Sequence, residues 1–320
     1  MSLNKIALLV LFPMILSFSV AAQAQVARGA LRQPDVIGKF YGSGQVISAK
    51  PADLSYILPP ELELAPQSIT DTGKHPMLVL AGTQHNVQHA YGKNGDKLVP
   101  IPGLVPATYQ ETIVAVPYVQ LKAAHRTPGE YYGPFYYMPA LYLDSALAVT
   151  LGGLYGYNKH LTKRYDSDGS HTQVYTENKK IPSIDLRMGI ERGTFQDAKD
   201  VAAFAPMQQM MDMPLIGKKG DGSLVCSLFA WDGAAPIRVA PADSYLSVGL
   251  IPSLELDPFP HYSGGYDKQK LGSFRITSHW KLKGPFACKD LPGVMPKPPA
   301  PTSMATAPVA APAAAPTPKH

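Results

Sequence analysis

The chain has 320 residues, of which 45% are hydrophobic and 17% charged, and its formal net charge is +5. This length and a mean hydropathy near zero fit one large or two small folded domains and exclude a globally disordered chain. Two cysteines exclude a disulfide-dense scaffold and a cysteine-based zinc cluster, and the lack of a basic run alternating with aromatic residues predicts no nucleic-acid partner.

The first 24 residues have the pattern of a cleavable signal peptide. Lys5 precedes the apolar stretch Ile6–Val20, and an Ala-Gln-Ala cleavage site ends at Ala24. An uncleaved membrane anchor is the alternative, but the stretch is shorter than the roughly 20 residues that span a bilayer, and Pro13 interrupts it. The sequence therefore predicts a signal peptide at 1–24, a periplasmic or secreted mature protein, and no integral membrane span after cleavage.

The C-terminal segment 291–320 is rich in Pro and Ala and has two charged residues, Lys297 and Lys319. Such a composition cannot bury enough apolar surface to fold, so we predict an extended, disordered tail. The tail is either a spacer or envelope tether, or a segment without a function of its own. The folded domain is then expected at 35–290.

Between these ends most of the sequence is typical of strands and turns. The chain contains 32 Pro and 27 Gly, and Asn-Gly or Asp-Gly pairs recur between β-branched and aromatic runs. Hairpins are predicted at Asn94-Gly95, Asp168-Gly169 and Asp221-Gly222, and strands at Thr108–Tyr118, Thr172–Tyr175, Leu224–Trp231 and Ser273–Leu282. Helices are predicted at Pro51–Ile57 and Ser145–Leu154, the second with Asp144 as its N-cap. The pattern indicates a predominantly β α+β fold with a closed or half-closed sheet and few helices.

Cys226 and Cys288 both lie inside the predicted domain, and Cys226 sits in an apolar run that indicates a buried strand. In an oxidising compartment the two could form a disulfide. The alternative is a pair of buried free thiols.

Three clusters have some features of metal sites, but each has a simpler structural interpretation. His85 and His89 have i, i+4 spacing without an amphipathic helix or a third ligand, so surface or hairpin histidines explain them better. The segment Asp166–Glu177 resembles a calcium loop but has His171 where that loop needs Gly, so a hairpin explains it better. The methionines within Met207–Met213 fit core packing better than soft-metal binding. The sequence therefore predicts no metal site.

The stretch Thr108–Arg164 carries the chemically informative residues. Lys159 follows a predicted helix end in an aromatic setting and stands beside His160. Burial and a neighbouring cation each lower a lysine pKa, and a neutral amine can attack a carbonyl to form a Schiff base. Glu111 alternates with Tyr109 on one face of a predicted strand and could act as an acid or base. From the residues alone, a solvated surface lysine remains the alternative.

This stretch resembles the acetoacetate decarboxylase family. The family's Tyr-x-Glu strand running into a proline is matched over Tyr109–Pro117. Its "Y-P-x-x-YLD" approach to a helix is matched over Tyr137–Asp144, and its "G-(F/Y)-P-K-K" turn over Gly156–His160. The motifs occur in the family's order and spacing, and weaker similarity extends over about 40–290.

The resemblance implies that Lys159 forms the Schiff base, that His160 supports it from the position of the family's second lysine, and that Glu111 is the strand glutamate. It implies a lyase reaction of decarboxylase, aldolase or dehydratase type on a small keto acid, with the lysine as electron sink and without a cofactor. The residues expected in the substrate pocket are Tyr109, Tyr142 and Tyr157. The implied fold is a cone-shaped antiparallel β-barrel with flanking helices, in an oligomer. The alternative is a non-catalytic small-molecule-binding protein on the same fold.

Overall fold

The computed structural model of the protein describes residues 34–91, 97–101, 108–153, 155–168, 170–176, 184–191, 194–248, 262–264 and 272–291. The predicted signal peptide at 1–24 lies outside these residues, as do positions 292–320 of the predicted tail and the Asn94-Gly95 hairpin. No helix among the described residues is long and apolar enough to cross a membrane.

Strands dominate the described chain and helices are short. The strands are β1 Val36–Ala49, β2 Leu62–Leu64, β3 His75–Tyr91, β4 Lys97–Pro100, β5 Tyr109–Leu121, β6 Phe135–Leu143, β7 Lys159–Leu161, β8 Arg164–Ser167, β9 His171–Tyr175, β10 Ile184–Glu191, β11 Gln196–Asp197, β12 Leu215–Lys218, β13 Leu224–Ala230, β14 Arg238–Val248, β15 Tyr262–Gly264 and β16 Ser273–Ala287. The α-helices are α1 Pro51–Ser55, α2 Ala146–Gly153 and α3 Ala205–Met211, and 3-10 turns cover Ala123–His125, Ala198–Asp200, Ala202–Phe204 and Cys288–Asp290. The prediction of a predominantly β α+β fold is confirmed.

Seven strands close into a hydrogen-bonded ring in the order β1-β3-β5-β6-β12-β13-β16, because β16 pairs back onto β1. The pairings within the ring are antiparallel except for β6 with β12, which run parallel. From β16 the sheet continues outward through β14, β10, β9 and β8. The ring therefore has an inner and an outer face, and β9, β10 and β14 contribute Val174, Leu186 and Leu246 to the core on the outer face.

Side-chain alternation along the strands builds a core on each face of the ring. On β5, Ile113 and Ala115 belong to the inner core, whereas Val114 and Val116 belong to the outer one. Successive strand residues point to opposite faces, and here both faces are buried. This is why residues 113–119 of β5 form a continuous apolar run and not a polar–apolar alternation.

Helix α3 fills part of the ring from inside. Its methionines Met207, Met210 and Met211 are almost fully buried, as is Met213 just beyond it, and all four belong to the inner core. The core interpretation of this methionine cluster is confirmed. Flexible thioether side chains suit such an irregular space between a helix and a curved sheet.

Local turn chemistry agrees with the sequence in two hairpins and differs at one helix cap. Asp168 accepts hydrogen bonds from the backbone N–H groups of Ser170 and His171 between β8 and β9. The Asp221-Gly222 turn joins β12 to β13. The prediction that Asp144 caps α2 is wrong: Ser145 Oγ accepts from the N–H of residue 148, while Asp144 accepts from the backbone of β5.

A disulfide joins Cys226 on β13 to Cys288 just after β16, and their Cα atoms are 4.8 Å apart. The two strands pair directly, with Cys226 opposite Phe286, so the bond reinforces an existing ladder. The alternative of two free thiols does not describe this structure.

Reduction of this disulfide should lower the free energy of unfolding, because the bond spans 62 residues and restricts the unfolded chain. The chain-entropy model gives about 4 kcal/mol for a loop of that length. Urea unfolding with and without reductant measures this difference in the free energy of unfolding. The sequence has two cysteines, so the reductant breaks no other bond within the chain. The double variant Cys226→Ala/Cys288→Ala should not respond to reductant. Equal urea midpoints for oxidised and reduced protein would contradict the prediction.

Candidate functional site

The ring encloses a cavity of about 200 Å³. Side chains from all seven ring strands, from α2 and from α3 line it, and most of them are aliphatic or aromatic. A concave apolar pocket with few polar groups is the usual form of a small-molecule site. The polar groups that line it include Lys159, Glu111 and Gln84.

Lys159 and Glu111 face each other inside this cavity. The Lys159 Nζ lies 3.9 Å from Glu111 Oε2, and the two side chains are 10% and 6% exposed. Strand β6 brings them together: Leu141 pairs with Lys159 on one side and with Ile113 on the other. The structure thus places the two residues proposed from the sequence in one pocket, and Lys159 is not a solvated surface lysine.

The turn between α2 and β7 delivers Lys159 to the pocket. Gly156 adopts φ +71°, a conformation that favours glycine, and the residue 157 N–H bonds back to the Gly152 carbonyl. Asn158 stands where the family motif has proline, and its side-chain amide donates to the Pro139 carbonyl on β6. A side-chain hydrogen bond therefore holds this turn against the sheet.

Gly152 makes room for the lysine. A Cβ at position 152 would overlap Cδ and Cε of Lys159, whereas a Cβ at Gly153 would have no atom within 4 Å. The stem of Lys159 therefore lies directly over the last turn of α2. Because residue 152 has no side chain, the Lys159 stem can follow this path and place its amine inside the ring.

Glu111 is oriented by two residues that the sequence analysis missed. Gln84 Nε2 donates to Glu111 Oε1 at 3.1 Å, and Trp280 Nε1 donates to Gln84 Oε1 at 2.7 Å. Since Oε1 is engaged, Oε2 is the oxygen that faces Lys159. Gln84 stands beside Thr83, His85 and Asn86 in the polar half of β3, so no local signal marked it. The pairing of β3 with β5, and of β1 with β3 and β16, brings these residues together.

Burial lowers the pKa of Lys159 below its usual value, because the apolar surroundings disfavour the ammonium form. The Glu111 carboxylate opposes this effect and favours the ammonium. Burial is the larger influence, so the free amine is more accessible than in an exposed lysine. Two of the tyrosines predicted for the pocket, Tyr109 and Tyr157, do line it, and burial raises the pKa of each hydroxyl.

His160 and Tyr142 lie on the other face of the sheet, contrary to the sequence-based expectation. Adjacent strand residues alternate, so His160 points away when Lys159 points inward. Its ring packs 5.7 Å from the Tyr142 ring, and Tyr142 belongs to the outer core. Burial lowers the pKa of His160, which favours the neutral imidazole. His160 is therefore not a cation beside the Lys159 amine, and Tyr142 does not line the cavity.

His85 and His89 lie on β3, and His89 reaches the cavity wall. Within the part of the chain that the structure describes, no group of three or more His, Cys, Asp or Glu side chains is arranged to hold a metal ion.

The sequence matches no protein-family model and no curated protein. The chain is similar in structure to acetoacetate decarboxylase-like enzymes. The enduracididine biosynthesis enzyme MppR in complex with pyruvate matches with a TM-score of 0.47 at 14% identity, over 80% of this chain and 91% of that one. An acetoacetate decarboxylase matches with a TM-score of 0.47 at 15% identity, over 79% and 88%. An acetoacetate decarboxylase-like enzyme from Sphingomonas wittichii RW1 matches with a TM-score of 0.45 at 12% identity, over 80% and 93%.

The variant Gly152→Ala should displace the Lys159 side chain and remove its reactivity while the fold persists. The overlapping atoms belong to a flexible side chain, so the lysine moves and the backbone does not. We expect a stability change of about 1 kcal/mol or less, since the gain in helix propensity offsets the steric cost. Labelling of Lys159 by a small electrophile, followed by peptide mass, measures the effect.

The matched control is Gly153→Ala, one residue along the same helix, where the added methyl group meets open space. It should label like the wild type. Equal loss of labelling in both variants would mean that α2 as a whole, and not the space at 152, controls the lysine.

Lys159 should also react with such an electrophile at lower pH than a surface lysine does. The reactive species is the free amine, so labelling rises as the pH passes upward through the pKa, and for Lys159 that rise should come below the usual value of about 10.4. Lys199, 74% exposed, is the internal reference. His160→Ala should leave the Lys159 profile unchanged, because the imidazole lies on the opposite face. Superimposable profiles for Lys159 and Lys199 would contradict the prediction.

Proposed function

We propose that this protein is a Schiff-base-forming enzyme of the lyase class, in which Lys159 attacks the carbonyl carbon of a small molecule held in the ring. The observation that supports this best is the buried Lys159 amine, with its pKa lowered, facing the Glu111 carboxylate across an apolar cavity. A desolvated lysine is the usual amine nucleophile for carbonyl substrates. A keto acid is the substrate class that the sequence resemblance implies.

In this reaction Glu111 acts as the general base and then as the general acid. It takes one proton from the Lys159 ammonium, directly after a small rotation or through one water, since the 3.9 Å separation slightly exceeds hydrogen-bond reach. The free amine adds to the carbonyl carbon, and a proton passes from nitrogen to the carbonyl oxygen to give a carbinolamine. Glu111 then returns its proton to the hydroxyl group, which leaves as water. The products are a protonated imine on Lys159 and the original carboxylate.

The protonated imine completes the proposed chemistry. Its positive nitrogen accepts the electron pair when a neighbouring carbon–carbon or carbon–hydrogen bond breaks, which yields an enamine. Protonation of the enamine and addition of water then release the product and restore the lysine. Gln84, by binding Glu111 Oε1, positions the carboxylate for these transfers. Decarboxylation, aldol cleavage and dehydration all share this electron flow.

A non-catalytic binding protein is the second candidate, and one observation favours it. Glu111 stabilises the ammonium form of Lys159, which cannot attack a carbonyl. If the ion pair persists when a ligand enters, the cavity binds carbonyl compounds without reacting.

We propose a periplasmic or secreted location for the mature protein. The N-terminal signal pattern supports it, and so does the disulfide, since such bonds persist in oxidising compartments. Assembly into an oligomer stays a prediction from the sequence resemblance.

Reductive trapping distinguishes the two candidate functions. Incubation with carbonyl compounds and cyanoborohydride should reduce an imine on Lys159 to a stable secondary amine, raising the mass of that peptide by the compound's mass less one oxygen atom. Lys159→Met should abolish the adduct, and Glu111→Gln should slow its formation by about 100-fold, as expected for loss of an acid–base group. The control Lys199→Met removes an exposed lysine and should trap like the wild type. A ligand that binds without any adduct at Lys159 would favour the binding protein.

A further inference from the structure

We propose that the substrate is a neutral carbonyl compound with an apolar aliphatic or aromatic substituent, and not a keto acid. This inference rests on the proposed function and names the substrate class of the same site. It departs from the substrate that the sequence resemblance implies.

The first argument is the balance of charge inside the cavity. Lys159 and Glu111 already oppose each other, at 3.9 Å. A substrate carboxylate brought into the ring would lose its hydration and would meet the Glu111 carboxylate. Once Lys159 has become an imine, its single positive charge would have to compensate both carboxylates. A ketone or aldehyde without a carboxylate adds no charge.

The second argument is the shape and chemistry of one wall. Phe229 on β13 stacks on Trp280 of β16 at 5.3 Å between ring centroids, and its ring is 4.8 Å from that of Trp231. These three rings line the cavity together. The indole N–H of Trp280 is occupied by Gln84, so this residue offers the ligand its apolar ring and not a hydrogen bond.

The third argument is the aliphatic part of the lining. Met138 and Leu141 of β6, Leu151 of α2 and Leu215 of β12 also line the cavity. A ligand between these side chains and the aromatic wall has its reactive carbon at Lys159 and apolar contacts around the rest. Burying such a substituent stabilises a complex by about 0.8 kcal/mol per methylene group.

Two lining residues could speak against this proposal. The buried Tyr136 hydroxyl has no hydrogen-bond partner among the described residues and could donate to a carboxylate. His89 is half-buried, its ring lies 6.0 Å from that of Tyr91, and when protonated it could also bind a carboxylate. The test therefore includes Tyr136→Phe and His89→Ala.

The protein contains its own reporter of occupancy, because its two tryptophans, Trp231 and Trp280, both line the cavity. Their fluorescence can be followed during titration with 2-heptanol and with 6-hydroxyheptanoate. These alcohols share a carbon skeleton, differ by a methyl group against a carboxylate, and cannot form an imine. We expect the neutral alcohol to bind more tightly by about tenfold or more.

A matched pair of variants shows whether the signal comes from this cavity. Ala148→Phe fills it from α2 and should abolish the fluorescence change, whereas Thr150→Phe places the same ring on the exposed face of the same helix and should not. Equal or tighter binding of the carboxylate would overturn the proposal, and loss of that binding in Tyr136→Phe or in His89→Ala would identify the residue responsible. If Ala148→Phe does not fold, the affinities of the wild-type protein for the two alcohols still test the proposal.

The corresponding ketones, 2-heptanone and 6-oxoheptanoate, separate this inference from the proposed function. With cyanoborohydride, the neutral ketone should give the Lys159 adduct at least about ten times faster than the keto acid. Faster trapping of the keto acid would overturn the substrate class but support the Schiff base. Binding of the neutral alcohol without trapping of the ketone would support a neutral apolar ligand and refute the Schiff-base enzyme.

Discussion

The desolvation of Lys159 is the constraint on which the site depends. An ammonium group is costly to bury, and here the cost is met in part by one carboxylate, Glu111, at a distance that leaves the pair loosely joined. A tighter pair would keep the lysine charged, and a wider separation would leave Glu111 a buried charge without compensation. Gln84 holds the carboxylate in this intermediate position through a hydrogen bond to Oε1, and Trp280 in turn holds Gln84. The position of the buried carboxylate thus depends on a hydrogen-bond chain that ends in β16.

The sequence predicts the parts of this protein that depend on local pattern. Strand β5 and the shared face of Tyr109 and Glu111 follow from strand alternation, whereas the expectation that Glu111 and Lys159 share a pocket came from the family resemblance. The predominantly β fold follows from the strand and turn content. These features are readable because each depends on residues close together in the chain.

The rest depends on pairings that bring distant segments together. His160 was expected beside the lysine because it is adjacent in sequence, but in a strand adjacency means opposite faces. Gln84 and Trp280 meet across 196 positions of sequence. The parallel contact of β6 with β12, which joins two neighbouring strands of the ring, has no local signature. Gly152 appeared as part of an ordinary helix end, and its importance is visible only when Lys159 lies over it.

The closure of the ring by β16 also shapes how the chain acquires its fold. β1 pairs with β16 over ten positions, and Asp35 binds Lys283 and the neighbouring Gly284 N–H, so the start and the end of the described chain meet along one seam. Until residues 273–287 arrive, β1 and β13 each present a strand edge and the interior is open. Unpaired strand edges invite association with other chains. We therefore expect the apolar interior to stay unsealed until residues 273–287 pair with β1 and β13, and the polypeptide to be most prone to aggregation just before that pairing.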